Sequence, residues 1–273
     1  MPLFYLMWST AFATPPAHAS AWTEIYTKDD VAVSKMELEG TKFFAFKGET
    51  VYDAPATKVM HVLLDNDHRT DWVDMLYEAT ELEKNGPFDY ILYQAFDLPL
   101  TFADRDYVYR GEAIRISDTV VELHIASVEH DSKPAEETVG VRAELVNTLY
   151  RLTDEADGKT RVEVEVQTDP KGWMPIWLVN LVQKDWPRET LVGLRNELSK
   201  PYTDHYPLPD ADGQPMPLPG EEPAEEAAAE GEAAEATEGE AAEATEGEAA
   251  EATEGEAAEA TEGEAAEATE AAE

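Results

Sequence analysis

Apolar and polar residues alternate strictly along several segments in the middle of the chain. In 119–129 the apolar positions are Val121, Leu123 and Ile125, with polar residues between them, and 160–169 alternates in the same way. A strand that buries one face and exposes the other has this period of two, so we predict an antiparallel sheet. The predicted strands are 41–52, 76–84, 89–96, 106–116, 119–129, 139–153 and 160–169.

Two further segments have apolar residues at helical spacing. The first is 53–66, and its leading Asp53 is a residue type that caps helices. The second is 175–200, a long amphipathic helix in which Pro187 removes one internal hydrogen bond and predicts a kink. Strands in sequence with helices at the ends indicate one α+β domain over 22–200, in which the long helix covers a curved sheet.

The negative charge is concentrated at the C-terminal end of the chain. The formal net charge is −39, and the part after Lys200 has no Lys or Arg but 24 Asp and Glu, so the remainder carries −15. We therefore expect no nucleic-acid binding, whose affinity comes from Lys and Arg, and no attraction to an anionic membrane. The chain has no cysteine, which excludes disulfides and thiolate chemistry.

Both ends of the chain differ in composition from the middle. Residues 1–19 are apolar and end in A-H-A, which predicts a signal peptide, although a basic n-region is lacking. We expect a periplasmic or secreted protein if this segment is cleaved, and a cytoplasmic one otherwise. The Pro-rich 201–220 predicts a linker. In 221–273, GEAAEATE occurs five times in tandem, which predicts a disordered acidic tail because it offers no apolar face to bury.

No motif of an active site or metal site stands out. The sequence has no H-E-x-x-H, no G-x-S-x-G, no P-loop and no Gly-rich dinucleotide motif. His61 and His68 flank two aspartates, but a solvated helix end explains this cluster better than a metal site does. We therefore expect neither a metal nor a cofactor.

Three motifs occur in order along the domain. They are R-x-x-W at Arg69–Trp72, D-R-D-Y-V at Asp104–Val108, and D-P-x-G-x-x-P-x-W-L-V-N at Asp169–Asn180. Each is weak alone, but together and at this spacing they resemble the START family, the steroidogenic-acute-regulatory-protein-related lipid transfer domains. The resemblance covers nearly all of 22–200 and is best with the branch that contains phosphatidylcholine transfer protein.

The resemblance implies a helix-grip fold, in which a curved antiparallel β-sheet wraps around a long C-terminal α-helix and encloses a cavity for one lipid. It also implies no catalysis. We expect a monomer that binds a phospholipid or a sterol-like lipid and carries it between membranes through transient membrane contact. Helix-grip relatives also include cyclases and hydratases, so an enzyme acting on a hydrophobic small molecule is the alternative. A third hypothesis is a scaffold whose acidic tail recruits basic partners.

Two arginines are candidates for contact with the polar part of a lipid. Arg105 ends the loop that the resemblance places beside the cavity entrance. We expect it to anchor this loop on the sheet, with contact to a headgroup as the alternative. Arg110 shares the parity of Val108 and Ile114, which predicts an inward side chain near a headgroup or a sterol hydroxyl, unless a bulge turns it to solvent.

The other candidates are large apolar residues. In a helix-grip fold the core and the cavity wall are the same surface, so a buried aromatic residue is a candidate for both. The first half of the long helix supplies Trp177, which is most simply a core residue, and Leu178, Leu181 and Val182, as the face that covers the cavity. The complete set of predicted lipid-contacting residues is Trp72, Tyr93, Phe96, Arg105, Arg110, Trp177, Leu178, Leu181 and Val182, with Met75 and Leu145 as further candidates.

Overall fold

The computed structural model describes residues 22–41, 43–99, 102–218 and 220, which all belong to one unit of the chain. The predicted signal peptide and acidic tail lie outside the described residues. The strands are β1 (Thr23–Lys28), β2 (Val31–Glu37), β3 (Phe44–Tyr52), β4 (Leu76–Lys84), β5 (Asp89–Phe96), β6 (Arg105–Ser117), β7 (Val120–Ser127), β8 (Val141–Arg142), β9 (Glu144–Asp154) and β10 (Thr160–Asp169). The helices are α1 (Ala56–Leu64), α2 (Arg69–Trp72) and α3 (Ile176–Glu197).

One large sheet organises the domain. Its main path is antiparallel, in the order β1-β2-β3-β10-β9-β7-β6-β5-β4, and the short β8 pairs in parallel with β6. The last strand, β10, pairs with β3 and so joins the N-terminal strands to the end of the meander. Helix α3 packs against β2, β3 and β10. The predicted α+β helix-grip arrangement, a large antiparallel sheet with a C-terminal helix, is confirmed.

The sheet begins earlier in the chain than the sequence pattern predicts. Strands β1 and β2 form a hairpin ahead of the first predicted strand. Its two-residue turn, Asp29-Asp30, has φ of 54° and 60°, the left-handed conformation that such hairpin turns require at both positions. Asp tolerates this conformation, but it is a weaker turn signal than Asn-Gly, and this explains why the hairpin is hard to recognise in the sequence.

The two predicted helices differ in detail from the structure. Helix α1 starts at Ala56, with Pro55 at the N-cap position and no side-chain capping hydrogen bond, so the prediction that Asp53 caps the helix is wrong. The side chain of Asp53 is exposed. Helix α3 runs through the buried Pro187 as one helix. It approaches β3 closely there, because a Cβ atom at Gly48 would lie only 2.9 Å from the Cβ of Pro187.

The core lies on the face of the sheet that packs against α1 and α3, which we call the inner face. Side chains that are fully buried there include Leu63, Leu92 and Leu123, together with Leu191 and Leu194 of α3. A second, smaller cluster lies on the outer face of the same sheet, and its buried members are Tyr93, Ala95 and Val108. No helix among the described residues is long and apolar enough to cross a bilayer.

The segment 201–218, which its composition predicts as a linker, packs on the domain; we call it the C-terminal strap. Leu208 is buried against the core. The backbone N–H of Tyr206 donates to a carbonyl of α1 over 3.0 Å, and Arg115 donates from Nε to the Pro209 carbonyl over 2.7 Å. The packed part of the chain therefore extends beyond α3.

Candidate functional site

A cavity lies between the inner face of the sheet and the first half of α3. Its volume is about 110 Å³, and it continues into a space of about 60 Å³ beside Leu98 and Pro99. The cavity is lined by Met75, Gln94, Phe96, Leu98, Arg105, Tyr107, Tyr109, Leu145, Thr148, Val166, Thr168, Val182, Gln183 and Trp186. The smaller space adds Pro99, Pro170, Met174, Leu178 and Val179.

Because side chains alternate along β5 and β6, three aromatic side chains of these strands face the cavity. Phe96 on β5 and Tyr107 on β6 both point inward, and their rings meet edge to face with centroids 5.6 Å apart. Tyr109 follows two residues further along β6. Burial raises the pKa of Tyr107 and of Tyr109, so both hydroxyls are neutral at physiological pH. This side of the cavity is therefore aromatic and uncharged.

Arg105 lies at the end of the cavity nearest the loop 97–104. Its Nε donates to the Pro170 carbonyl over 3.1 Å, its Nη2 to the Lys171 carbonyl over 3.2 Å, and its Nη1 to the Ala103 carbonyl. The guanidinium thereby ties the loop to the segment that precedes α3. Burial lowers the pKa of Arg105. The hydrogen-bond acceptors of its guanidinium are backbone carbonyl oxygens.

The side chain of Asp106, the next residue, lies on the outer face of the sheet. It is completely buried there and accepts hydrogen bonds from Tyr93, Thr138 and Arg142 over 3.2, 2.9 and 3.0 Å. Burial alone would raise the pKa of Asp106, but the hydrogen bonds from Arg142 and Thr138 outweigh it and hold the pKa below its usual range. Asp106 therefore fixes a loop on the outer face while Arg105 fixes one at the cavity.

Comparison with known proteins supports the resemblance noted in the motifs. The model of the START domain matches residues 13–188. This chain belongs to the START domain family. An uncharacterised protein of Pseudomonas aeruginosa is 27% identical over 184 residues, which are 67% of this chain and 90% of the relative.

Two named START proteins are also similar to this START domain. Human phosphatidylcholine transfer protein is 25% identical over 177 residues, which are 62% of this chain and 80% of that protein. The crystal structure of human STARD10 superposes with a TM-score of 0.59 at 21% identity, covering 65% of this chain and 72% of that one. The structural likeness establishes the shared fold.

The START cavity brings together part of the predicted set. Phe96, Arg105 and Val182 line the main cavity, and Leu178 lines the smaller space. The further candidates Met75 and Leu145 also line the main cavity. Trp72 is buried in the core, but it is not among the lining residues. Arg105 forms the predicted loop anchor and lines the cavity as well.

Two predicted strand residues lie on the outer face. Tyr93 is three residues from Phe96, so the two side chains point to opposite faces of β5. Arg110 does share the parity of Val108, but Val108 belongs to the outer cluster. Arg110 therefore points away from the cavity and forms a bidentate pair with Asp89, Nε to Oδ1 over 2.7 Å and Nη2 to Oδ2 over 2.6 Å.

Two predicted helix residues lie outside the cavity as well. Trp177 is 63% exposed and Leu181 is 51% exposed. They form one stripe of α3, whereas Leu178 and Val182 form the neighbouring stripe that faces the cavity. Because both stripes are apolar, helical spacing alone does not distinguish the covered one.

Two glutamines and two threonines of the cavity wall were not predicted from the sequence. They are Gln94, Thr148, Thr168 and Gln183. Gln94 carries a recognisable signal, since it occupies an inward position of β5 between the apolar Leu92 and Phe96. A polar residue at a core position needs a partner, and such an interruption of the alternation marks a candidate contact.

Proposed function

We propose that this START domain binds one lipid in the cavity between the inner face of the sheet and α3, and carries it between membranes. The cavity is the observation that carries the proposal, because it is apolar and aromatic over most of its wall. Burying hydrocarbon contributes about 0.8 kcal/mol per methylene, so an acyl chain binds with few polar contacts. The similarity to a phosphatidylcholine transfer protein supports a lipid as the ligand class.

Lipid entry requires the cavity to widen. Its volume of about 110 Å³ is below the roughly 300–1,000 Å³ of ordinary ligand pockets. We infer that Leu98 and Pro99, which line the smaller space, and the first half of α3 move outward, a step on the microsecond to millisecond scale or slower. Pro187 leaves the Gln183 carbonyl without its helical donor, so we propose this turn of α3 as the flexible point.

The composition of the wall favours a carrier over the alternative enzyme. No Asp, Glu or His occurs among the described residues that line the cavity, and these are common general acids and bases. The described residues also contain no group of three or more His, Cys, Asp or Glu that could hold a metal. Turnover of a hydrophobic small molecule by the purified protein would contradict the carrier proposal.

We propose an apolar patch at the start of α3 as the membrane contact. The patch consists of Trp173, Trp177 and Leu181, which are 81%, 63% and 51% exposed. Trp173 stacks on Phe102 of the loop 97–104, with ring centroids 6.1 Å apart, so the patch adjoins the loop. Trp favours the membrane interface, and the acidic domain fits a neutral bilayer better than an anionic one.

A pair of adjacent substitutions on α3 tests lipid binding in the cavity. Val182→Trp places a large ring inside the cavity, whereas Leu181→Trp places the same ring on the exposed stripe. We expect the first variant to lose lipid uptake from dioleoylphosphatidylcholine vesicles that contain dioleoylglycerol, and the second to keep it. Native mass spectrometry of the re-isolated protein reports occupancy, and circular dichroism confirms folding. Equal uptake by both folded variants would contradict the proposal.

A further inference from the structure

A methionine and a lysine have a backbone conformation that their side chains disfavour. Among the described residues, five that are not glycine have a left-handed φ. Asp29, Asp30 and Asp157 are aspartates in tight turns, and aspartate tolerates this conformation. The others are Met75 and Lys171, with φ of 61° and 46°. Such residues persist only where the surrounding structure fixes them, and they cluster at ligand clamps and switch regions.

Met75 and Lys171 both accept hydrogen bonds beside the cavity. Met75 lines the cavity, and its carbonyl accepts from the backbone N–H of Asp97 over 2.9 Å. The carbonyl of Lys171 accepts from Nη2 of Arg105, another lining residue, over 3.2 Å. Lys171 does not itself line the cavity or the smaller space, so its substitution leaves their walls intact.

The segment 170–175 joins β10 to α3 and has to absorb any movement of the start of the helix. Strand β10 stays in place because it is paired on both edges, with β3 and with β9. The rings of Pro170 and Pro175 fix their φ angles, so the rotation falls on the residues between them. Of these, Lys171 and Gly172 are left-handed, and the conformation is strained for the lysine but not for the glycine.

Lys171 is held by both its backbone and its side chain. Its N–H donates to Oδ1 of Asp169 over 3.0 Å, and its carbonyl accepts from Arg105. Its ammonium lies 2.7 Å from Oε2 of Glu144, at the start of β9, and 2.8 Å from Oδ2 of Asp169. The side chains of Lys171 and Glu144 are nearly half exposed, so water and salt weaken their ion pair. These contacts hold the strained backbone, and opening exchanges both for water and an ordinary conformation.

We propose that Lys171 is a latch for the first half of α3, whose ion pairs keep the cavity closed while its strained backbone favours opening. Together with the turn at Pro187, the latch bounds the part of the helix that moves. It acts on the closed state with and without lipid, so it sets the rate of lipid exchange and leaves the equilibrium occupancy unchanged. The inference rests on the proposed function and adds the residue that controls opening.

Substitutions of Lys171 separate the ion pairs from the strain. Lys171→Met removes the charge and keeps the strain, Lys171→Gly removes both, and Lys171→Arg keeps both. Hydrogen–deuterium exchange of the lipid-free full chain, read by mass spectrometry of peptides, measures the opening of 176–183. We expect this segment to exchange several-fold faster in Lys171→Met than in the wild type, and about fivefold more slowly in Lys171→Gly than in Lys171→Met. Lys171→Arg should match the wild type.

Lipid transfer gives the second readout. The same variants are loaded with a pyrene-labelled phosphatidylcholine or a pyrene-labelled diacylglycerol and mixed with neutral dioleoylphosphatidylcholine vesicles. We expect the transfer rates to follow the order of the hydrogen exchange rates, with wild-type occupancy at equilibrium. Lower occupancy in Lys171→Met would overturn the proposal, because it would mean that Lys171 supports the bound state as a whole.

Asp157→Gly is the matched control. Asp157 also has a left-handed φ, of 65°, but it lies in the turn between β9 and β10, at the opposite end of β9 from Glu144. We expect this variant to leave both the hydrogen exchange of 176–183 and lipid transfer unchanged. An effect as large as the difference between Lys171→Met and Lys171→Gly would overturn the latch, because it would reflect a general effect of glycine.

The remaining outcomes separate this inference from the proposed function. Equal hydrogen exchange of 176–183 in Lys171→Met and the wild type overturns the latch and leaves lipid binding intact. A wild-type chain that takes up neither labelled lipid contradicts the proposed function. If its Lys171 variants still show the expected order of hydrogen exchange, the latch on α3 is supported without a lipid.

Discussion

At the scale of single residues, the alternation of side chains along β6 explains a run of three charges, Asp104, Arg105 and Asp106. Arg105 points to the inner face and holds the loop 97–104 through backbone carbonyls. Asp106 points to the outer face and binds Arg142 and Thr138. Asp104 accepts a hydrogen bond from the exposed Tyr77 over 3.2 Å. Charges that are adjacent in the chain at the start of β6 thus contact different surfaces of the sheet.

Arg105→Lys tests the anchoring role of the guanidinium. Lysine keeps the positive charge, but it is a point donor and cannot reach three carbonyls in the planar geometry of arginine. We expect the free energy of unfolding to fall by about 2–3 kcal/mol, because buried acceptors lose charged donors. Urea denaturation followed by tryptophan fluorescence measures this loss.

Arg110→Lys is the control on the other face of the same strand. Arg110 pairs with Asp89, and both side chains are partly exposed. A partly exposed ion pair contributes little, so we expect a loss below about 1 kcal/mol. A loss equal to that of Arg105→Lys would mean that the position on the inner face does not matter.

At the scale of elements, α3 shows what helical spacing can and cannot predict. The spacing predicts a long amphipathic helix over 175–200, and the structure has α3 at Ile176–Glu197. It does not predict that Leu178 and Val182 are covered while Trp177 and Leu181 are exposed, because both stripes are apolar. Which stripe is covered depends on the position of the sheet, which is set by distant strand pairings.

The exposed stripe of α3 gives a prediction for membrane contact. We expect Trp177→Ala to slow transfer of dioleoylglycerol between neutral vesicles several-fold, because less apolar surface enters the interface. Equilibrium occupancy should stay unchanged, since Trp177 lies outside the cavity. Ile116→Ala removes a residue of similar exposure, 52%, at the opposite end of β6 and should have no effect. Equal slowing by both variants would contradict the patch.

A glycine in α3 tests the close packing of the helix on α2. A Cβ atom at Gly193 would lie 2.2 Å from the carbonyl oxygen of Trp72, so Gly193→Ala forces the helix away from α2. We expect this variant to lose about 1–3 kcal/mol of unfolding free energy, as overpacked sites do. At Gly86 no atom lies within 4 Å, so Gly86→Ala should be close to neutral. Thermal unfolding compares the two.

At the scale of the whole molecule, the order of strands and helices was predictable and the two ends of the domain were not. Strands β4, β5, β6, β7, β9 and β10 follow from the alternation and the turn signals, whereas the predicted strand 139–153 is divided in the structure into the short β8, which pairs with β6, and β9. The β1–β2 hairpin and the C-terminal strap were missed because their composition is mixed: the strap is rich in Pro, and its buried leucine is Leu208. Such segments pack on elements that are distant in the chain, and their apolar residues do not recur at the regular spacing of a strand or a helix.

Two truncations test whether the strap belongs to the folded domain. Removal of residues 221–273 should leave the midpoint of thermal unfolding unchanged. Removal of 201–273 also deletes Leu208 and the hydrogen bonds to α1 and Arg115, and should destabilise the protein by about 2–4 kcal/mol. Equal midpoints for the two truncated chains would show that the strap contributes no stability.

Photo-crosslinking of the bound lipid shows whether the lipid lies in the cavity, because the label attaches to the residues that surround it. A dioleoylglycerol analogue with a diazirine in one acyl chain is loaded from vesicles, the complex is re-isolated and irradiated, and the labelled peptides are sequenced. We expect adducts on inner-face and cavity residues, such as Phe96, Tyr109, Leu145 and Val182. Adducts confined to the exposed Trp173 and Trp177, with none on β5, β6 or β9, would contradict lipid binding in the cavity.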